Sequence, residues 1–177
     1  MVKVKPIATA KPQQLIKAED VSISVENITK NQQHVVELKN ADGISKDLLK
    51  TKPSYSPEPT KWLEKGGKVK IEDNIWIYTN KNGKSIIYET KNINGSNVYM
   101  PNFKNYLHPN KNIAQVDIGK FSGNRNKDIQ VFLEKTGLDE IPSGYTLHHS
   151  QPNGIVQLVE TAIHREFTHI GGHSLYN

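Results

Sequence analysis

Residues 144–173 constrain the fold of this 177-residue chain more tightly than any other stretch. Two short strands, predicted at 145–150 and 155–159, flank a turn that contains Pro and Asn-Gly. A helix that starts at Glu160 or the next residue should follow, because acidic residues favour a helix N-terminus. The glycine pair at 171–172 is expected to end that helix. The stretch therefore predicts one compact strand–turn–strand–helix unit.

The same unit is rich in histidine. Side chains alternate along a strand, so the adjacent His148 and His149 should point to opposite faces and have different roles. One of them can join a metal site beside the helix, while the other faces a substrate. Five of the seven histidines in the chain lie here: His148, His149, His164, His169 and His173.

The helix offers His164 as a ligand, but the third ligand is open on spacing. His169 lies five residues further, about 140° around an ideal helix, so it shares the site only if the last turn unwinds near Gly171. His173, just past the glycines, is its alternative. Three neutral imidazoles would bind Zn²⁺ or a similar ion and leave positions for water and a phosphate oxygen. A further histidine would act as general base.

The composition limits which side chains could bind a metal. The chain has no cysteine, so a metal must use histidine, carboxylate or water. A structural zinc site, or buried histidines bonded to the backbone, would also cluster histidines. No stretch approaches the ~20 apolar residues of a membrane span, and the N-terminus lacks the apolar segment of a secretory signal peptide. We therefore expect no membrane insertion and, if the protein is exported, a signal on a longer parent chain or a dedicated delivery system.

Charge is placed unevenly along the chain. The net charge of +5 lies in residues 1–100, while residues 101–177 are balanced. The excess lysine would either attract a polyanion or serve only solubility. The two arginines, Arg125 and Arg165, both fall in the balanced half with most of the histidines.

The first sixty residues are predicted to form an extension or a small docking or linker region. Residues 1–20 have a linker composition, and 21–25 and 34–38 are strand candidates. Three prolines within 51–60 suggest a boundary. A separate domain for translocation or for docking onto a parent protein is a further possibility for 1–60, whereas 61–177 should hold the functional domain.

Residues 61–100 predict a small antiparallel β region. Strand candidates are 69–71, 75–78 and 85–88, with a hairpin turn at Asn82-Gly83 and another turn at Asn94-Gly95. Trp76 and Tyr78 would either stack nucleic-acid bases or anchor the core, and the core role is favoured.

The stretch before the histidines predicts one strand and one longer helix. Residues 113–118 alternate like a strand, and Asn124 and Gly137 would cap a helix between them. Arg125 and Asp128, three residues apart, can pair on that helix, or Arg125 can reach a phosphate.

The C-terminal residues resemble the toxin nucleases of the HNH/endonuclease VII superfamily that are named for an LHH or WHH signature. The similar segments are 144–149 (GYTLHH), 157–159 (QLV), His164 and 169–172 (HIGG). A looser similarity runs upstream to residue 61, through Trp76, Tyr78, Gly83, Tyr88, 101–103 and 123–128.

That resemblance implies an α+β fold with a ββα-metal (His-Me finger) core at about 144–173 and hydrolysis of phosphodiester bonds, in DNA before RNA. It implies that His148, His164 and His169 hold one divalent metal and that His149 is the general base. Zn²⁺ is the first expectation, with Mg²⁺, Mn²⁺ or Ni²⁺ as alternatives. Arg125 and Arg165 would contact the DNA, and Arg125 would also take part in catalysis.

The resemblance also implies a biological setting. Such domains are C-terminal toxins of larger proteins delivered between competing bacteria, they act in the target-cell cytoplasm, and a cognate immunity protein protects the producer. The competing hypothesis is a non-catalytic, zinc-stabilised nucleic-acid-binding module, in which four protein ligands would fill the coordination sphere.

Overall fold

The computed structural model describes residues 35–38, 44–93, 95–150 and 153–175, which form a mixed α/β structure with two antiparallel sheets. This agrees with the α+β expectation. No helix among these residues is long and apolar enough to cross a membrane.

The larger sheet has five strands in sequential order. Its strands are β1 (Val35–Leu38), β2 (Lys68–Glu72), β3 (Ile75–Thr79), β4 (Ser85–Ile93) and β5 (Ser96–Pro101). Two helices, α1 (Lys46–Lys50) and α2 (Pro59–Glu64), lie between β1 and β2 in the chain. Each neighbouring pair is antiparallel, so short turns are enough to connect β2 through β5.

The predicted hairpin turn between β3 and β4 is confirmed. The Asn80 side-chain oxygen accepts hydrogen bonds from the backbone N–H groups of Asn82 and Lys84, and Gly83 has a φ of 79°. Glycine adopts that left-handed conformation without the steric cost of a Cβ. The second predicted turn is described only at Gly95, which also has a positive φ.

Aromatic side chains fill the core beneath the five-stranded sheet. Trp76 and Tyr78 are fully buried, and their rings stack with centroids 6.0 Å apart. The core interpretation is therefore confirmed for both, and the idea that they stack bases is wrong because neither is accessible. Val159, Ile163 and Phe167 of the C-terminal unit enter the same core.

The smaller sheet has three strands, in the order β6 (Gln115–Asp117), β8 (Ile155–Glu160) and β7 (Tyr145–His149). A second apolar core lies between this sheet and α4 (Arg125–Thr136), which buries Phe132. The predicted capping of α4 is confirmed: the Asn124 side chain accepts from two backbone N–H groups, and Gly137 adopts the left-handed conformation.

Two sequence expectations about elements are wrong. Residues 113–118 do not form one strand, because Asn110 caps a short helix, α3 (Lys111–Ala114), before β6 begins. The helix after β8, α5 (Thr161–Glu166), ends well before the glycine pair, because Phe167 leaves the helix to become fully buried in the core. A separate short helix, α6 (Gly172–Leu175), starts at the second glycine.

The division of the chain near residue 60 stays a prediction. Strand β1 pairs with β2, Leu38 lies in the large core, and α2 crosses the proposed boundary. The candidate strand at 21–25 and His34 lie outside the described residues.

Candidate active site

Strand β7 places adjacent histidines on opposite faces. His148 and His149 are both buried, and they pair across the sheet with Gln157 and Val156 of β8. Helix α5 follows β8 without a loop and carries His164. The predicted order of two strands and a helix is therefore present, and its strand alternation separates the two histidines as expected.

Three histidines meet on one face of β7. The Nδ1 atom of His148 lies 3.2 Å from Nε2 of His164 and 3.3 Å from Nε2 of His169. One ligand atom from each residue can be chosen so that all three lie within 4.8 Å of one another. The structure thus brings together the three residues that the resemblance pointed to.

His169 joins this cluster because it does not lie on the helix. The chain leaves α5 at Phe167, and the Tyr88 hydroxyl holds the next segment by donating to the Thr168 carbonyl at 2.7 Å. The His169 Nδ1–H donates to the Phe167 carbonyl at 2.9 Å, which leaves Nε2 unprotonated and directed at His148. Such a backbone hydrogen bond is how metal-ligating histidines are usually oriented. The expectation that His169 is helical is wrong, and the side chain of His173 lies outside the described residues.

Phe103 packs against all three imidazoles. Its ring centroid lies 5.1 Å from that of His148, 5.8 Å from that of His164 and 5.3 Å from that of His169, and it is almost fully buried. An apolar wall of this kind excludes water from the inner side of the cluster and fixes the ring positions.

The cluster favours neutral imidazoles. Burial lowers the pKa of His148 well below its ordinary value, and the adjacent His169 and His164 lower it further. Burial, His169 and the nearby Arg125 and Arg165 lower the pKa of His164 to about 4. Burial also lowers the pKa of His169, against the opposing effect of its hydrogen bond to Phe167. All three therefore have free lone pairs at neutral pH, as metal ligands must.

The geometry of the cluster fits a metal ion. Two imidazole nitrogens that bind one tetrahedral Zn²⁺ at ~2.0–2.1 Å lie about 3.3–3.4 Å apart. The His148–His164 and His148–His169 nitrogen separations, 3.2 and 3.3 Å, are close to that value. Three nitrogen donors without a thiolate or carboxylate suit Zn²⁺, Ni²⁺ or a similar transition metal better than Mg²⁺.

On the other face of β7, His149 meets a carboxylate. Its Nε2 lies 2.9 Å from Oδ2 of Asp128, a side chain of α4 that is only 1% exposed. The other oxygen of Asp128 accepts the backbone N–H of Ser122 at 2.9 Å. Burial raises the pKa of Asp128, but the hydrogen bonds from Ser122 and His149 outweigh it and hold the pKa below its ordinary value. Asp128 is therefore an ionised carboxylate that orients the imidazole.

One cleft connects both faces. A cavity of about 310 Å³ is lined by His148 and His149 together with both arginines, Arg125 and Arg165. Both arginines are exposed, and neither pairs with a carboxylate in the described part of the chain. The pairing of Arg125 with Asp128 that spacing allowed is wrong, because Asp128 turns inward to Ser122 and His149.

Two residues of the site were missed from sequence. Asp128 is 21 residues from His149 in the chain, and its helical position suggested only a surface pair. Phe103 gave no chemical signal. Gln157 of β8 donates its side-chain amide to Gln115 of β6 at 2.7 Å.

With this geometry in place, the C-terminal segment can be compared with known families. Residues 138–177 match the model of the WHH family, described as a nuclease of the HNH/ENDO VII superfamily with conserved WHH. The matched segment contains β7, β8, α5 and all five C-terminal histidines. The match confirms the resemblance over residues 138–177 and supports a nuclease of the HNH superfamily.

In this chain, Leu147 stands before the histidine pair, where the family description has tryptophan. Neither the curated proteins nor the solved structures gave a match to this chain.

Proposed function

We propose that this protein is a metal-dependent endonuclease that hydrolyses phosphodiester bonds of DNA through a ββα-metal core formed by β7, β8 and α5. The observation that carries the proposal is that the two faces of β7 carry different groups of side chains. Three neutral imidazoles lie on one face, and the His149–Asp128 pair lies on the other. The three imidazoles and the His149 ring line the same cleft.

His148, His164 and His169 are the proposed ligands of one divalent ion, with Zn²⁺ first and Ni²⁺, Mn²⁺ or Mg²⁺ as alternatives. A bound ion would stabilise the charge that develops on the phosphate and on the leaving oxygen. The protein contributes the ligand geometry: β7 fixes His148, α5 fixes His164, and the Phe167 carbonyl fixes the tautomer of His169. All three imidazoles line the cavity, so water and a phosphate oxygen could reach a bound ion from the cleft.

His149 is the proposed general base. It takes a proton from the attacking water, and the Asp128 carboxylate beside Nε2 stabilises the imidazolium that results. The same carboxylate holds the ring plane, and the Phe121 ring, 4.8 Å away between centroids, packs against its side. Asp128 is thus proposed as a positioning residue rather than as a group that reacts.

Arg125 and Arg165 are the proposed phosphate ligands. Each has an exposed guanidinium that lines the cleft, and a guanidinium matches the geometry of two phosphate oxygens. Their positive charge also opposes protonation of His164. They would draw the polyanion to the cleft and keep the ligand imidazoles neutral.

The proposed biological role is that of a toxin delivered into competitor bacterial cells, where it would act in the cytoplasm. The resemblance to toxin nucleases is what supports this role. The proposed partners are a cognate immunity protein in the producer and a delivery protein N-terminal to this module. Residues 1–60 are the proposed connection to that delivery protein.

Supercoiled plasmid and a structured RNA test the activity. The full chain should nick and then degrade plasmid when Zn²⁺, Ni²⁺, Mn²⁺ or Mg²⁺ is supplied, and chelator should stop it. RNA should be cut more slowly. Cleavage that persists in excess chelator, or that is confined to RNA, would contradict the proposal.

A further inference from the structure

A second cavity, of about 600 Å³, adjoins the proposed active-site cleft. Arg165 and Thr168 line both cavities, so the two share a wall at the end of α5. From that shared wall the second cavity extends toward α2 and the β3–β4 turn, where Lys61, Lys65 and Lys81 line it. We call this second cavity the lysine groove.

The groove is built on rigid parts of the fold. Trp62 of α2 is buried, its indole N–H donates to the Thr79 carbonyl at 2.9 Å, and its ring lies 5.0 Å from that of Phe167. Phe167 leads directly into Thr168 and His169. The helix that carries the lysines is therefore packed against the segment that carries a proposed metal ligand.

The β3–β4 turn is fixed to the same wall. The Asn80 side chain donates to Glu166 of α5 at 2.7 Å, and Asn80 is almost fully buried. A side-chain carbon at Gly66, just beyond α2, would lie 3.8 Å from Cβ of Lys81. The turn thus holds Lys81 beside the C-terminal end of α2, near Lys65.

The cations in the groove outnumber its carboxylates. Lys61, Lys65 and Lys81 are exposed, and none of them forms an ion pair with a carboxylate of a described residue. The groove also holds two carboxylates, but both have other partners. Glu58 caps α2 by accepting the backbone N–H of Thr60, and Glu166 accepts from Asn80. With Arg165, the groove presents four cations and two carboxylates, a net charge of +2.

We propose that the lysine groove binds the phosphodiester backbone of the substrate strand beyond the cleavage point, as an extension of the cleft. This inference rests on the proposed nuclease function. The groove and the cleft are continuous, because Arg165 lines both. A nucleic-acid strand in the cleft could therefore run on into the groove past Arg165, which favours a nucleic acid over a separate acidic protein as the occupant. The excess lysine of residues 1–100 then serves substrate binding at these three positions rather than solubility alone.

The triple variant Lys61→Gln/Lys65→Gln/Lys81→Gln tests the proposal. It is made in full-length His149→Ala protein so that the DNA stays intact. Affinity for 20-nucleotide single-stranded and duplex DNA should fall about tenfold or more at moderate salt. The slope of log affinity against log salt should become shallower by about 2, because each lost phosphate contact removes ~0.7–0.9.

Lys46→Gln/Lys104→Gln/Lys111→Gln is the matched control. It removes the same charge from exposed lysines that line neither cavity. If this control weakens DNA binding as much as the groove variant does, net charge alone explains the effect and the groove proposal is overturned. Unchanged DNA affinity in the groove variant also overturns it, and a surface for an acidic protein would remain.

A small substrate separates failure of this inference from failure of the proposed function. Bis(4-nitrophenyl) phosphate reaches only the cleft, so the groove variant with His149 intact should hydrolyse it at the parent rate while cutting long DNA about tenfold more slowly. If the groove variant hydrolyses both substrates more slowly than the parent by the same factor, the lysines act on the cleft itself and the proposal fails. If the parent cleaves neither substrate with any metal, the proposed function fails.

Discussion

The two faces of β7 differ in what surrounds a histidine, although the two histidines are adjacent in the chain. His148 faces the aromatic core of the five-stranded sheet and meets two more imidazoles and Phe103. His149 faces the core beneath α4 and meets a buried carboxylate. The first environment keeps its imidazoles neutral, while the second places an ionised carboxylate beside the imidazole.

Under the proposed function, this contrast lets one strand supply a metal site and a general base together. Strand alternation separates the two side chains, and each sheet–helix core then determines the chemistry on its own side. Substitutions on one face should therefore leave the function of the other face intact.

The largest effect is expected from His148→Ala. It removes the nitrogen that lies beside both other ligands, so divalent-metal affinity should fall more than ~100-fold, beyond what loss of an outer-shell partner costs. Cleavage should fall below detection. Metal titration by calorimetry and plasmid cleavage measure both quantities. His108→Ala, a histidine outside the cluster, is the control and should keep its metal; metal retention by His148→Ala would contradict the ligand assignment.

His149→Ala should separate base from metal. Cleavage should fall by ~10²–10⁴, the usual contribution of a general base, while metal affinity stays within about threefold of the parent. Single-turnover cleavage at saturating metal, with calorimetry on the same sample, gives both numbers. Parent-like cleavage would remove His149 from the mechanism.

Asp128→Asn should have a smaller effect on the same face. The amide keeps the shape but not the charge, so the imidazolium loses its partner and cleavage should fall about 10–100-fold. Metal affinity should not change. The distinguishing readout is the pH–rate profile. Its low-pH limb, which reports deprotonation of the general base, should shift in Asp128→Asn. A variant that loses only thermal stability, with an unchanged profile, would show that Asp128 is merely structural.

Acid should destabilise the metal-free protein through the three-histidine face. The folded-state pKa values of His148, His164 and His169 lie below the ordinary 6.5, with His164 at about 4. As pH falls from 6.5 toward 4, the unfolded chain therefore binds more protons than the folded chain, and stability is lost. Thermal unfolding in chelator should show a falling midpoint across this window. His164→Gln should flatten the dependence, and a midpoint that rises toward pH 4.5 would contradict it.

The smallest effect is expected where α6 meets β7. A Cβ at Gly172 would lie 2.5 Å from the Ser150 carbonyl oxygen and 2.7 Å from that of His149, so Gly172→Ala must displace the end of β7. It should cost ~1–3 kcal/mol of unfolding free energy. Gly171→Ala meets nothing within 4 Å and should change it by less than ~0.5 kcal/mol. Equal values in urea unfolding would show that the close approach is not retained in solution.

Local patterns predicted much of the fold. The turn at Asn82-Gly83, the caps of α4 and the opposed histidines follow from backbone chemistry within a few residues, and all are present. The early end of α5 depends on burial of Phe167 in a core built by the five-stranded sheet, which local helix signals do not reveal. Helix α3 was not predicted either, because residues 113–118 alternate like a strand, whereas the cap at Asn110 starts a helix there.

The candidate site was likewise predictable only in part from the sequence. The chain pattern and the family resemblance pointed to the histidines, but not to how the third one reaches the cluster, because that depends on Tyr88 holding the Thr168 carbonyl. Sequence spacing offered only Arg125 as a partner for Asp128, because it shows only neighbours on one helix. Its actual partner, His149, is brought to it by packing of α4 against the three-stranded sheet.

A crystal structure of the zinc-loaded protein, with anomalous scattering at the zinc edge, tests the central claim most directly. The account predicts one ion ~2.0–2.1 Å from nitrogens of His148, His164 and His169, with a solvent ligand facing the cleft and His149 bonded to Asp128 away from the metal. An ion held by four protein ligands, or one bound to His149 and Asp128, would contradict it.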